Sequence, residues 1–216
     1  MALKQTYAVF GLGKYGTAVA KELVANGADV IAVDADETIV NDLTSDLPIC
    51  KCADVTDPEA LLQIGIRSVE VAVIAMATNL ESTVMCIMLC KEFGVQNIIA
   101  KCGNEMHRKI LEKLGVNQIV FPEYDSGTRL AKNLLSSGFI DVIELAKNVS
   151  MVKIDVKPEW VGKSILELNL RKKYSLNIVA IYDKGTINTS VEPELILHKS
   201  MSLIVIANAS KLGKLK

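Results

Sequence analysis

Apolar and polar positions follow two different rhythms along this chain. Up to about residue 135, short apolar runs are separated by stretches in which apolar residues recur every three or four positions. The runs cover 7–10, 29–33, 48–52, 69–75, 96–100 and 118–121. Runs of this length between turn signals read as strands buried on both faces, and the three-to-four spacing reads as a helix with one apolar side. Helices are expected from Thr17 onward and over 37–43, 58–65, 80–93, 104–114 and 124–135. Asp57 before Pro58 reads as an N-cap with proline at the first helical position. Asn104 is a further cap, and Gly94 and Gly115 are stops. Regular alternation with short connections predicts an α/β fold, a Rossmann-like doubly wound parallel sheet of six strands.

The rhythm changes after Ser136-Ser137-Gly138. Five apolar runs, at 142–145, 151–156, 177–182, 186–190 and 202–206, read as strands. Asp183-Lys184-Gly185 is a hairpin signal, and Ser164 caps a short helix through Leu168. The expected division is therefore 1–138 and 139–216, the second part a small α+β domain.

Chemistry concentrates where the first run ends. Gly11-Leu12-Gly13-Lys14-Tyr15-Gly16 stands between a strand and a helix, the context that a Gly-x-Gly-x-x-Gly dinucleotide motif requires. Gly11 permits the turn, Gly13 lets a diphosphate approach the backbone, and Gly16 lets helix and strand pack closely. The helix N-terminus offers unpaired N–H groups and a partial positive charge. Asp34 ends the second strand, about 20 residues on, where a carboxylate accepts both ribose hydroxyls. It would repel a 2′-phosphate, which disfavours NADP. Asp54 ends the third strand, where a turn acid is an equally good reading. Thr78 and Lys101 follow the fourth and fifth strands, and Glu123 follows the sixth.

Composition narrows the possibilities. Of 216 residues 50% are hydrophobic and only 5% aromatic, the Ala, Val, Ile and Leu content of a sheet covered on both faces. A net charge of −1 provides no field for nucleic acid or anionic lipid. No run reaches the roughly 18 apolar residues of a membrane span, and the N-terminus lacks the pattern of a signal peptide, so a soluble intracellular protein is expected. Five cysteines show no zinc-type spacing. The pairs Cys50/Cys52 and Cys86/Cys90 are expected to be small apolar core residues.

A small NAD-dependent oxidoreductase is the enzymatic alternative. Hydride chemistry needs an acid or base at the nicotinamide, and the two histidines, His107 and His198, make no convincing candidate. A DNA-binding role would need a basic recognition helix. The one basic cluster, Arg171-Lys172-Lys173, reads as a solvated helix end.

Several phrases together resemble a known family. They are the segment from Ala8 to Gly16, Val33-Asp34, Ala53-Asp54-Val55-Thr56-Asp57, residues 61–67, Leu111-Glu112-Lys113-Leu114-Gly115-Val116, Phe121-Pro122-Glu123-Tyr124-Asp125, and residues 168–174. Over essentially its whole length the chain looks like the RCK proteins (regulators of potassium conductance). In these a Rossmann-like TrkA-N domain precedes a small TrkA-C domain, and the stand-alone KtrA type is the nearest likeness. The resemblance implies a cytoplasmic, non-enzymatic subunit that gates a Ktr/Trk-type potassium transporter, with ATP/ADP or NAD(H) as ligand. A transporter for another ion is an alternative. The membrane partner would be KtrB/TrkH-like. Dimers paired through the helix after the sixth strand would stack into an octameric ring.

The same resemblance assigns residues. Gly11, Leu12, Gly13, Lys14, Tyr15 and Gly16 would cradle the phosphates, and Asp34 would hold the ribose, followed by Ala35 and Asp36. Asp54 and Val55 would flank the adenine, and Met76, Ala77 and Thr78 would line the floor. Lys101, Cys102 and His107 would lie beside the nucleotide. Relatives with a terminal-phosphate sensor carry arginine where this chain has Lys14, which keeps the charge but loses the bidentate fork. Glu123 would help bind Mg2+ or another cation at a dimer interface; its alternative is a turn acid after Pro122. Cyclic di-AMP could bind the second domain near Ile165, Leu168, Arg171, Asn177 and Ile178, although these also fit a plain core.

Overall fold

The computed structural model describes residues 5–76, 79–135, 139–146 and 149–208. Two compact units divide the chain, Met1–Pro122 and Glu123–Lys216.

In the first unit, β1 (Thr6–Phe10), α1 (Lys14–Ala25), β2 (Asp29–Asp34), α2 (Glu37–Leu43), β3 (Cys50–Cys52) and α3 (Pro58–Ile64) alternate as expected. They continue through β4 (Val71–Ile74), α4 (Leu80–Glu92), β5 (Asn97–Lys101), α5 (Glu105–Lys113) and β6 (Gln118–Val120). The sheet order is β3-β2-β1-β4-β5-β6, with every neighbouring pair parallel. Both faces are covered, which is why β1 reads as an unbroken apolar run. Ala8 and Phe10 join one core with Val33, Ile74, Ile87 and Leu111. Val9, between them, joins the other core with Ala20, Val30, Leu47 and Val73. Successive side chains of a strand point to opposite faces, so one strand feeds two cores.

The caps sit where their chemistry demands. Asp36, Asp57, Asn79 and Asn104 each accept from a backbone N–H in the first turn of the helix that follows. Gly65 and Gly115 leave their helices at φ +93° and +63°, a left-handed conformation in which a Cβ is penalised. Strands β1 and β4 are adjacent although three helices separate them in sequence. Chains leaving these two strands run in opposite directions across the sheet, and this switch point opens a crevice beyond their carboxyl ends.

The second unit begins within α6 (Pro122–Leu135). It continues with β7 (Phe139–Ala146), β8 (Val149–Asp155), α7 (Ile165–Leu168), α8 (Leu170–Tyr174), β9 (Asn177–Asp183), β10 (Thr186–Asn188) and β11 (Met201–Asn208). The sheet is antiparallel, in the order β10-β9-β11-β8-β7. Val152, Ile154, Trp160, Leu170, Leu203 and Val205 form its core. Lys184 and Gly185, at φ +45° and +88°, make the expected two-residue turn between β9 and β10. Strand β10 stops at Asn188, short of the expected Ser190, because the Asn188 side chain takes the Ser190 N–H at 2.9 Å.

Cys86 and Cys90 are buried in the first core as expected. Cys52 is exposed, contrary to expectation, at the end of β3, an edge strand with a neighbour on one side only. Its thiol lies 3.5 Å from the Ala35 carbonyl. The Ser136-Ser137-Gly138 segment lies outside the described residues.

Candidate functional site

The crevice at the switch point is built around the turn from β1 into α1. Gly11 has φ +89°, and its N–H donates to the Val33 carbonyl at 2.8 Å. A Cβ on Gly11 would lie 2.6 Å from Met76 Cγ, and one on Gly16 would lie 1.9 Å from the Gly11 carbonyl oxygen. Those two glycines are therefore demanded by packing. A Cβ on Gly13 would meet nothing within 4 Å, so the backbone there is open to an incoming group.

Gly13 is also the N-cap of α1 and supplies no side-chain cap. The helix begins bonding with Thr17 N–H to Gly13 O at 2.9 Å. The amides of Lys14, Tyr15 and Gly16 precede that bond and have no carbonyl four residues back within the helix. With the macrodipole they form an anion site, and the first turn carries no acid to oppose it. Lys14 is exposed at this end. Lys101, at the tip of β5, holds its ammonium 5.7 Å from the centroid of the Tyr15 ring, which places a second cation across the switch point.

Asp34, at the tip of β2, is half-buried and turned toward the loop. Its Oδ2 accepts from the Leu12 N–H at 2.5 Å and its Oδ1 from the Asp36 N–H at 2.9 Å. A carboxylate has about four acceptor positions, so one on each oxygen remains for a pair of vicinal hydroxyls. Thr17, which the sequence reading missed, donates its hydroxyl to the Leu12 carbonyl at 2.6 Å. A hydroxyl in the first helical turn, directly after the last glycine, was the available signal. Among the described residues, Gly13 and the α1 amides therefore present an open helix N-terminus, and Asp34 brings a carboxylate to the same loop.

The other expected residues divide. Val55 is buried, while Asp54 is exposed and spends Oδ1 on the Thr56 hydroxyl at 2.7 Å and the Thr56 N–H at 2.8 Å. Those bonds, the hydroxyl's first, hold its carboxyl below the usual range. Cys102 is buried, and its N–H joins β6 through the Val120 carbonyl at 2.9 Å. His107 is half-buried, its backbone N–H capped by Asn104. Ala35 and Asp36 are exposed beyond Asp34. Ala77 and Thr78 lie outside the described residues. Glu123 is exposed in the first turn of α6 and opens the second unit. Among the described residues no three His, Cys, Asp or Glu side chains gather to hold a metal ion. In the second unit, Leu168 is part of the core and Ile165 and Ile178 pack on it, while Arg171 and Asn177 are exposed. No helix among the described residues is long and apolar enough to cross a membrane.

Known proteins share this organisation. Residues 7–122 match the TrkA-N domain family and residues 149–216 match the TrkA-C domain family. The Ktr system potassium uptake protein C of Bacillus subtilis is 32% identical over 98% of this chain and 96% of its own length. Protein A of the same system and organism is 35% identical over 94% and 91%. Among solved structures, a GsuK channel bound to NAD superposes with a TM-score of 0.65 at 17% identity, over 98% of this chain and 38% of that longer one. The TrkA-N domain of the inner membrane protein YbaL from Escherichia coli gives 0.54 at 14%, over 62% and 99%. At such identities the structural likeness speaks for the fold alone. The two domain matches and the near full-length relatives show that this chain belongs to the TrkA-N/TrkA-C family that includes the Ktr potassium uptake proteins.

Proposed function

We propose that this protein is a nucleotide-sensing regulatory subunit of a potassium uptake transporter. The observation that carries the reading is the pairing of an open anion site at Gly13 and the start of α1 with a carboxylate, Asp34, facing the same loop. A ligand with a diphosphate on a ribose, such as ATP, ADP or NAD(H), satisfies both halves. The Ktr potassium uptake relatives support the transporter, and GsuK structures bound to NAD and to ADP support the ligand class.

Gating in this reading needs no bond made or broken. Nucleotides sharing the adenosine contacts differ at the phosphate end, and only differential contact energy shifts a conformational equilibrium. Moving an assembly from mostly closed to mostly open takes about 5.5 kcal/mol of such difference, which several sites in a ring share. The subunit lies on the cytoplasmic side, peripheral to the membrane through its transporter. Dimer contact through α6 is supported by its exposed apolar residues Tyr124, Leu130 and Leu134.

Equilibrium titration of the purified protein with ATP, ADP and NADH, following heat and oligomer size, tests the proposal. Saturable binding of at least one ligand that Asp34→Ala removes is the expected result. The absence of binding by all three, or wild-type affinity in folded Asp34→Ala protein, overturns it.

A further inference from the structure

From the geometry of Thr83 we infer that this residue positions the nucleotide site from behind, a role that rests on the nucleotide reading above. Thr83 is 2% exposed, one of only three buried polar residues among those described. It lies on the core side of α4, four positions before Ile87, where the helix otherwise buries apolar groups. A buried hydroxyl without a partner is costly. This one lies 2.5 Å from the carbonyl oxygen of Met76 and 2.8 Å from that of Asn79.

A threonine hydroxyl has one proton to donate. The Asn79 carbonyl, four residues back, is the local acceptor a helical threonine ordinarily meets, and here the single proton is shared with the nearer Met76 carbonyl. The bond to Met76 is different. Met76 is the second residue beyond β4, at the switch point, and its side chain fills the space over Gly11 that a Cβ would otherwise occupy. Thr83 therefore ties α4 to Met76, Met76 packs on Gly11, and Gly11 starts the turn that aims the α1 amides. From the other side Asp34 holds the same turn through the Leu12 N–H. The loop is braced by β2 directly and by α4 through Met76.

Since Thr83 touches the brace and not the phosphates, its removal lowers affinity for every nucleotide by the same factor. Four variants test this alongside wild type: Thr83→Val, Thr83→Ser, Asp34→Ala, and Ile87→Val as a control for α4 packing. Each is titrated with ATP, ADP and NADH and melted without ligand. Thr83→Val keeps shape and loses the proton, and is expected to weaken each nucleotide about five- to tenfold, equivalent to one net hydrogen bond. Thr83→Ser is expected to restore affinity to within about twofold of wild type, and Ile87→Val to leave it unchanged whatever its melting temperature. Thr83→Ala replaces Thr83→Val if the latter does not fold. Wild-type affinity in Thr83→Val, or an equal loss in Thr83→Ser, overturns the inference while nucleotide binding stands. Failure of the wild-type protein to bind any of the three overturns the nucleotide reading and this inference with it.

Discussion

The Leu12 N–H donates to Asp34 Oδ2 across 22 positions of sequence, at 2.5 Å. The acid assigned to the ribose therefore also fixes the loop assigned to the phosphates. Both carboxylate oxygens act as acceptors, the second toward the Asp36 N–H. Asparagine offers one acceptor and places an amide donor against a donor. Asp34→Asn should therefore cost about 1–3 kcal/mol of stability and weaken nucleotide binding at least tenfold. Asp34→Ala should abolish measurable binding with the fold intact. Thermal melts beside calorimetric titrations separate the two effects.

Lys14 is exposed at the N-terminus of α1, where no side chain caps the helix. In the proposed nucleotide reading its ammonium meets the outermost phosphate and not the adenosine. Lys14→Ala should weaken ATP roughly three- to tenfold more than ADP, with the difference shrinking as salt rises. Equal losses for ATP and ADP in parallel titrations would remove Lys14 as the discriminating group.

Lys91, in the last turn of α4, donates to the carbonyls of Leu114 at 2.5 Å and Gly115 at 2.8 Å. A cation at the end of α5 answers carbonyls that the helix leaves unbonded. Lys91→Met should lower the melting temperature by about 1–4 °C without changing nucleotide affinity. Differential scanning calorimetry on the two proteins checks the first part.

Asp54 supplies a pH signature. Its bonds from Thr56 stabilise the ionised form and depress the folded pKa. A depressed carboxyl contributes stability that is complete above its unfolded value, about 4, and is lost as pH falls through the folded value. Thr56→Val removes the larger of the two bonds. Wild type should therefore melt slightly above Thr56→Val at pH 6, by well under 1 kcal/mol because Asp54 is exposed, and the gap should narrow as pH falls below about 4. A gap independent of pH would assign the effect to packing.

Much of the site could be read before any coordinates. Gly11, Gly16 and Asp34 stand out because a positive φ, a helix pressed on a strand and an acid at a strand tip each restrict residue type. Thr17 and Thr83 did not stand out, since threonine is common in helices and the Leu12 and Met76 carbonyls they reach lie outside the helix, in the loops before it. Cys52 was misjudged because alternation along a strand gives its face and not whether the strand lies at the edge of the sheet.

The amino-acid order by itself determined the strand and helix sequence of both units, since period, caps and glycine stops are local properties of the chain. It also marked the glycine turn after β1, whose φ of +89° at Gly11 the structure shows. Only the folded arrangement decided which partners hold that turn, because the Leu12–Asp34 and Met76–Thr83 bonds depend on β2 and β4 lying on either side of β1. Such neighbours follow from sheet order, and a hydrogen bond reaching no farther than about 3 Å is made or lost by that placement.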